Sequence, residues 1–273
     1  MTYFDNALLE VLLLGLLSGV AGFVVLLRKR AFFTVALSHA TFPGGVIAAL
    51  LGLSVLAGSA IFALLLIAIM TGLSRVRQQG KQVASGLVLT FGFALGALIQ
   101  SMNPASPIPV DALLIGSLLS VSTADVLALA VVLVVSLGIL LMISRRLVYS
   151  SFDPEGYRSS GFKPWLVDAA ALTIIAAAVV VAMPAVGAIL GVAIIVGPAI
   201  TARMLVRNVM LIAPVAALFG ITAGLAGLYA SKAFDIAAGG AVGLAVAVIF
   251  AAVALGRQLA IRLKAGKGGD GSH

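Results

Sequence analysis

The chain has 273 residues, 62% of them hydrophobic and only 10% charged, with a mean hydropathy of +1.24 and a formal net charge of +8. This excludes an ordinary soluble domain and predicts a polytopic helical membrane protein. Zero cysteines exclude a disulfide framework, a thiolate metal site and a thiol nucleophile, and the positive charge lies in clusters between apolar runs without interleaved aromatics, which excludes a nucleic-acid surface. Apolar runs predict nine membrane-spanning helices, at 9–27, 31–52, 55–74, 83–102, 124–143, 165–183, 186–204, 209–230 and 237–256. The first is shortened by Asp5 and Glu10, so eight spans is the alternative count. Those acids, with no basic residue among the first ten, also argue against a cleavable signal peptide.

Basic residues other than Lys232 occupy every second loop. They are Arg28-Lys29-Arg30, then Arg75, Arg77 and Lys81, then Arg145, Arg146, Arg158 and Lys163, then Arg203 and Arg207, and last Arg257, Arg262, Lys264 and Lys267. The positive-inside rule places these loops and the C-terminus in the cytoplasm and the N-terminus outside. The expected organisation is one transmembrane domain over 1–256, with a cytoplasmic loop at 145–164, followed by a cytoplasmic tail at 257–273. The glycine pairs Gly15/Gly19, Gly92/Gly96, Gly187/Gly191, Gly220/Gly224 and Gly239/Gly243 predict close helix packing in a single bundle. The proline-rich outer segment Ser101–Ser117 is too short to span, so it either re-enters the membrane or lies on it, and its Asp111 reads as a solvated turn residue.

One span carries chemistry. Residues 35–45 read VALSHATFPGG, and His39 is the only histidine besides His273. Pro43 has no N–H for the carbonyl four residues earlier, so the His39 carbonyl is expected to be free beside its own imidazole and the Ser38 hydroxyl. Imidazole is a common ligand for divalent transition metals. The stretch is therefore either a packed histidine at a proline kink or part of a metal path. Gly197-Pro198 predicts a second interruption, freeing the Ile194 carbonyl, and broken spans in both halves point to a translocation route.

Three segments carry a family resemblance: ALSHATFPGG, SSFDPEGYRSSGF and VGAILGVAIIVGPAITARML. In order and spacing they resemble the permease subunits of the zinc/manganese/iron class of bacterial ABC importers. That resemblance implies import across the bacterial cell membrane. It implies two permease chains, a second copy or a related one, with cytoplasmic ABC ATPase subunits and an extracytoplasmic binding protein. No permanently bound cofactor is implied; the divalent metal is the cargo. The second segment would be the ATPase-coupling loop, with Asp153, Pro154, Glu155 and Gly161 as its helix start and stop. Two positions depart from the family. Its usual aspartate, one helical turn before the histidine, is Val35 here, and its small residue in the coupling loop is Tyr157.

Other function classes fare worse. No ATPase loop is present, since QQGKQ lacks both the leading glycine and the following hydroxyl. There is no HExxH or GxSxG, and Ser38 and His39 point about 100° apart on a helix, so no enzyme is expected. An ion-coupled secondary transporter is the alternative, weakened by the lack of mid-span carboxylates.

Overall fold

A computed structural model describes residues 3–73, 81–103 and 116–268. Among them the chain is all-α. The helices are α1 (Tyr3–Arg28), α2 (Ala31–Ala40), α3 (Phe42–Leu50), α4 (Val55–Leu73), α5 (Lys81–Met102), α6 (Thr123–Phe152), α7 (Pro154–Ser159), α8 (Pro164–Leu205), α9 (Ile212–Phe234) and α10 (Ala238–Gly268), with short 3-10 turns at Leu118–Ser120 and Val209–Leu211. Seven stretches are long and apolar enough to cross a bilayer, and Val55–Met70 and Leu190–Leu205 are shorter apolar helices. Together they coincide with the nine predicted spans. Asp111, Arg75 and Arg77 lie outside the described residues.

The boundaries differ in instructive ways. α1 runs through both acids that seemed to shorten it. Asp5 sits in its first turn, where the positive end of the helix dipole favours an acid. Glu10 is fully buried inside the protein, so it never meets lipid. Neither Glu10 carboxylate oxygen has a hydrogen-bond partner among the described residues. α6 begins at a capping box, in which Ser122 Oγ accepts from the Asp125 N–H at 3.3 Å and Asp125 Oδ2 accepts from the Ser122 N–H at 3.0 Å. It then continues to Phe152, so residues 145–152 of the expected loop are helical. α10 likewise carries on through the basic segment to Gly268.

α1 forms the middle of the bundle and packs against α9, α8 and α6. α6 instead turns Leu127, Val131, Val134 and Leu141 outward, as a lipid-facing helix does. Contact between α1 and α9 depends on the predicted glycine pairs. A Cβ at Gly19 would lie 2.5 Å from the Ala213 carbonyl oxygen and 2.8 Å from the Ala217 nitrogen, and one at Gly220 would strike Ser18 Oγ. Backbone cannot yield as a side chain can. Gly19→Ala is therefore expected to destabilise by about 1–3 kcal/mol. Gly138→Ala in α6, where nothing lies within 4 Å of the added methyl, should leave the melting temperature unchanged or raised. Thermal unfolding of the two purified variants separates these outcomes.

Gly187/Gly191 does not follow the pattern. Gly191 has only the Ala182 Cβ near it, at 3.9 Å, and Gly187 is a break in the helix.

Candidate functional site

The span that holds His39 is interrupted at Thr41, between α2 and α3. The Thr41 N–H donates to the Leu37 carbonyl at 3.0 Å, and the Thr41 carbonyl accepts from Gly44 at 3.1 Å. Pro43 follows the break directly. It occupies the first turn of α3, where its missing N–H costs nothing. Gly44 is buried against α4, where an added Cβ would collide with the Gly58 carbonyl and Phe62. The hydroxyl of buried Thr41 donates to the Ser38 carbonyl at 3.2 Å and stitches the turn together. The break at Thr41 was invisible in the sequence, because the nearby proline draws attention away from it.

His39 is half-buried, and its ring hydrogen bonds run through Nδ1. That nitrogen lies 3.0 Å from the Val35 carbonyl and 3.1 Å from Ser38 Oγ. Ser38 in turn donates to the same Val35 carbonyl at 2.9 Å. A carbonyl can only accept, so in the neutral ring Nδ1 carries the proton and Nε2 the lone pair. Metal-binding imidazoles commonly anchor the far nitrogen to a carbonyl in this way. Phe93 of α5 faces the ring at 6.3 Å between centroids and stacks on Phe42 at 6.1 Å. α5 comes this close because a Cβ at Gly92 would meet the Ala40 backbone, and one at Gly96 the Phe42 ring.

The second interruption is in α8, but at Gly187 rather than at Pro198. Gly187 has φ 78° and ψ 167°, a region open essentially to glycine, while Pro198 lies inside continuous helix. Breaking the helix there frees the Pro184 carbonyl, which accepts from the Ser117 N–H at 3.1 Å. Gly116, with φ 69°, brings this backbone in so closely that a Cβ would overlap the Gly187 nitrogen. Met183 and Ala188, on either side of the break, form one buried cluster with Phe42 and Val46 of α3. The two broken spans thus meet at their breaks, with His39 about one turn away. Among the described residues no group of three or more histidine, aspartate or glutamate side chains gathers to hold a metal. Among the described residues the arrangement offers one imidazole nitrogen beside an irregular backbone.

The model of the ABC 3 transport family matches residues 1–257. This chain belongs to that family. The permease is 31% identical over 250 residues to the manganese transport system membrane protein MntC of Halalkalibacterium halodurans, covering 92% of this chain and 86% of the relative. It is 32% identical over 232 residues to the zinc transport system membrane protein TroC of Treponema pallidum, covering 82% and 78%. A solved structure described as PsaBC from Streptococcus pneumoniae in complex with Fab superposes with a TM-score of 0.83 at 26% identity, covering 93% of the permease and 91% of that chain.

Asp153 caps α7 by accepting from the Gly156 N–H at 2.8 Å, with Pro154 and Glu155 in the first turn. Gly161 follows the last turn, and Asp153, Pro154, Glu155 and Gly161 are all exposed. Tyr157 is the anchor. Its ring is only 1% exposed, meets Tyr149 edge-on at 5.5 Å and stacks on Phe162 at 5.1 Å. This bulky residue thus ties the short helix to α6. Asp153→Ala should weaken the helix by about 1 kcal/mol. Hydrogen exchange over residues 154–159 is expected to quicken about fivefold.

Proposed function

We propose that this chain is the pore-forming permease subunit of an ATP-driven importer of divalent transition metals. It would work with separate cytoplasmic ABC ATPase subunits, a second permease chain and an extracytoplasmic metal-binding protein, with its C-terminus in the cytoplasm. The observation that carries this reading is the meeting of two broken helices beside an imidazole whose Nε2 lone pair is left for a ligand. Relatives named for manganese and for zinc transport support the cargo class. A single nitrogen with carbonyl oxygens suits transit, since a site on a path must release what it binds. The break at Thr41 lets α3 tilt against α2, opening or closing the route at Phe42. The exposed face of α7, with Asp153, Pro154 and Glu155, would receive the ATPase, and its tie to α6 through Tyr157 would carry the push into the membrane.

The ion-coupled alternative gains one observation, the buried Glu10 on α1, whose carboxylate has no hydrogen-bond partner among the described residues. Uptake in proteoliposomes holding permease, ATPase and binding protein separates the two. The importer reading expects uptake of manganese, zinc or iron that requires ATP and ignores ionophores. Uptake without ATP that collapses with the proton or sodium gradient would establish the alternative.

A further inference from the structure

Arg203, Arg207 and Arg257 converge on one cleft of about 540 Å³ with an aliphatic floor that includes Leu26, Ile200 and Met204. They come from three places in the chain: the last turn of α8, the linker after it, and the later part of α10. α8 stops at Leu205, Leu26 is two residues from the end of α1, and Arg257 lies near the end of the apolar stretch Ala238–Ala260. The cleft therefore sits where hydrocarbon gives way to headgroups. Among the described residues no carboxylate lines it. Among the described residues, Arg203 donates only to the Val206 carbonyl, at 3.4 Å, and none of the three arginines has an acidic partner. A second polar cavity, of about 160 Å³, makes the contrast. Arg28, Arg30 and Arg158 line it too, but Asp168 stands among them, 3.3 Å from Arg28, and supplies the counter-charge.

We propose that the acid-free cleft binds the phosphodiester headgroup of an anionic phospholipid. Topology accounts for arginines on this side of the membrane but not for their convergence on one hollow without an acid. Guanidinium groups match phosphate oxygens in paired hydrogen bonds. The aliphatic floor suits the glycerol and first methylenes of a lipid and has nothing to offer a free phosphate ion. Basic pockets between helix ends are a recurrent form of lipid headgroup site. The proposal rests on the span assignment and not on the metal path, so either can fail alone.

The test is native mass spectrometry of the full-length permease, supplied in turn with phosphatidylglycerol, phosphatidylcholine and inorganic phosphate. The wild type is expected to hold phosphatidylglycerol on the order of a hundredfold more tightly than an R203Q/R207Q/R257Q variant, and each single substitution should weaken it about fivefold. Phosphatidylcholine should bind both proteins alike and weakly, and millimolar phosphate should not displace the lipid. The single variants keep the test open if the triple variant does not fold. Equal phosphatidylglycerol binding in wild type and variants overturns the proposal. So does displacement by phosphate, which would make the cleft a free-anion site, or loss of the lipid whenever the ATPase is attached, which would make it a protein contact.

Discussion

Replacing Gly116 by alanine is expected to lower the melting temperature of the permease by roughly 5–10 °C and to abolish transport. Three effects combine. The backbone at Gly116 has φ 69°, and a methyl there would sit against the Gly187 nitrogen, the Val186 carbonyl carbon at 2.5 Å and the Ala185 oxygen at 2.9 Å. None of these is a flexible side-chain end. Separation would also remove the hydrogen bond from Ser117 to the Pro184 carbonyl, leaving that carbonyl unpaired inside the protein. Gly187→Ala should cost a similar amount from the other side of the contact, because φ 78° with ψ 167° is closed to alanine. Both substitutions disrupt one contact, so the double variant should lose little more than either single one. Differential scanning fluorimetry of the three variants checks this. An unchanged melting temperature in both single variants would mean that the break in α8 is not held by these glycines.

Val35→Asp is the second large effect. Val35 lies one turn before His39, and its carbonyl already orients the imidazole. A carboxylate there would share the helix face with Nε2 and add a hard oxygen ligand. Retention of manganese by the purified protein is expected to rise about tenfold or more, with a smaller gain for zinc. Transport should slow as the ion leaves less readily. Unchanged retention of both metals would place Val35 off the route.

Much of this architecture was legible in the chain. Hydropathy located nine apolar segments because lipid leaves a helix few options, and the spacing of Gly15/Gly19 and Gly220/Gly224 announced close packing, which the structure assigns to α1 against α9. What failed shares one cause: a residue type with two physical uses. Glycine serves both tight packing and φ above zero, so Gly187 read as half of a packing pair when it was the break. Proline removes a donor but keeps helical angles, so Pro198 stays inside α8. Glu10 read as the edge of a span, because sequence alone does not reveal that its side of α1 faces protein. His39 stood out for the opposite reason, since a single imidazole in hydrocarbon has few bland explanations. Its orientation through Nδ1 was not readable, because it depends on where the Val35 carbonyl points.

The central claim is that His39 lies on the route of the metal. ATP-dependent uptake by the reconstituted complex, measured for wild type and His39→Ala alongside ATP hydrolysis, tests it most directly. The account predicts that the variant loses uptake by about 100-fold or more while the ATPase remains bound and active. Uptake by His39→Ala at the wild-type rate would contradict it and make the imidazole a packed side chain at a bend in the helix.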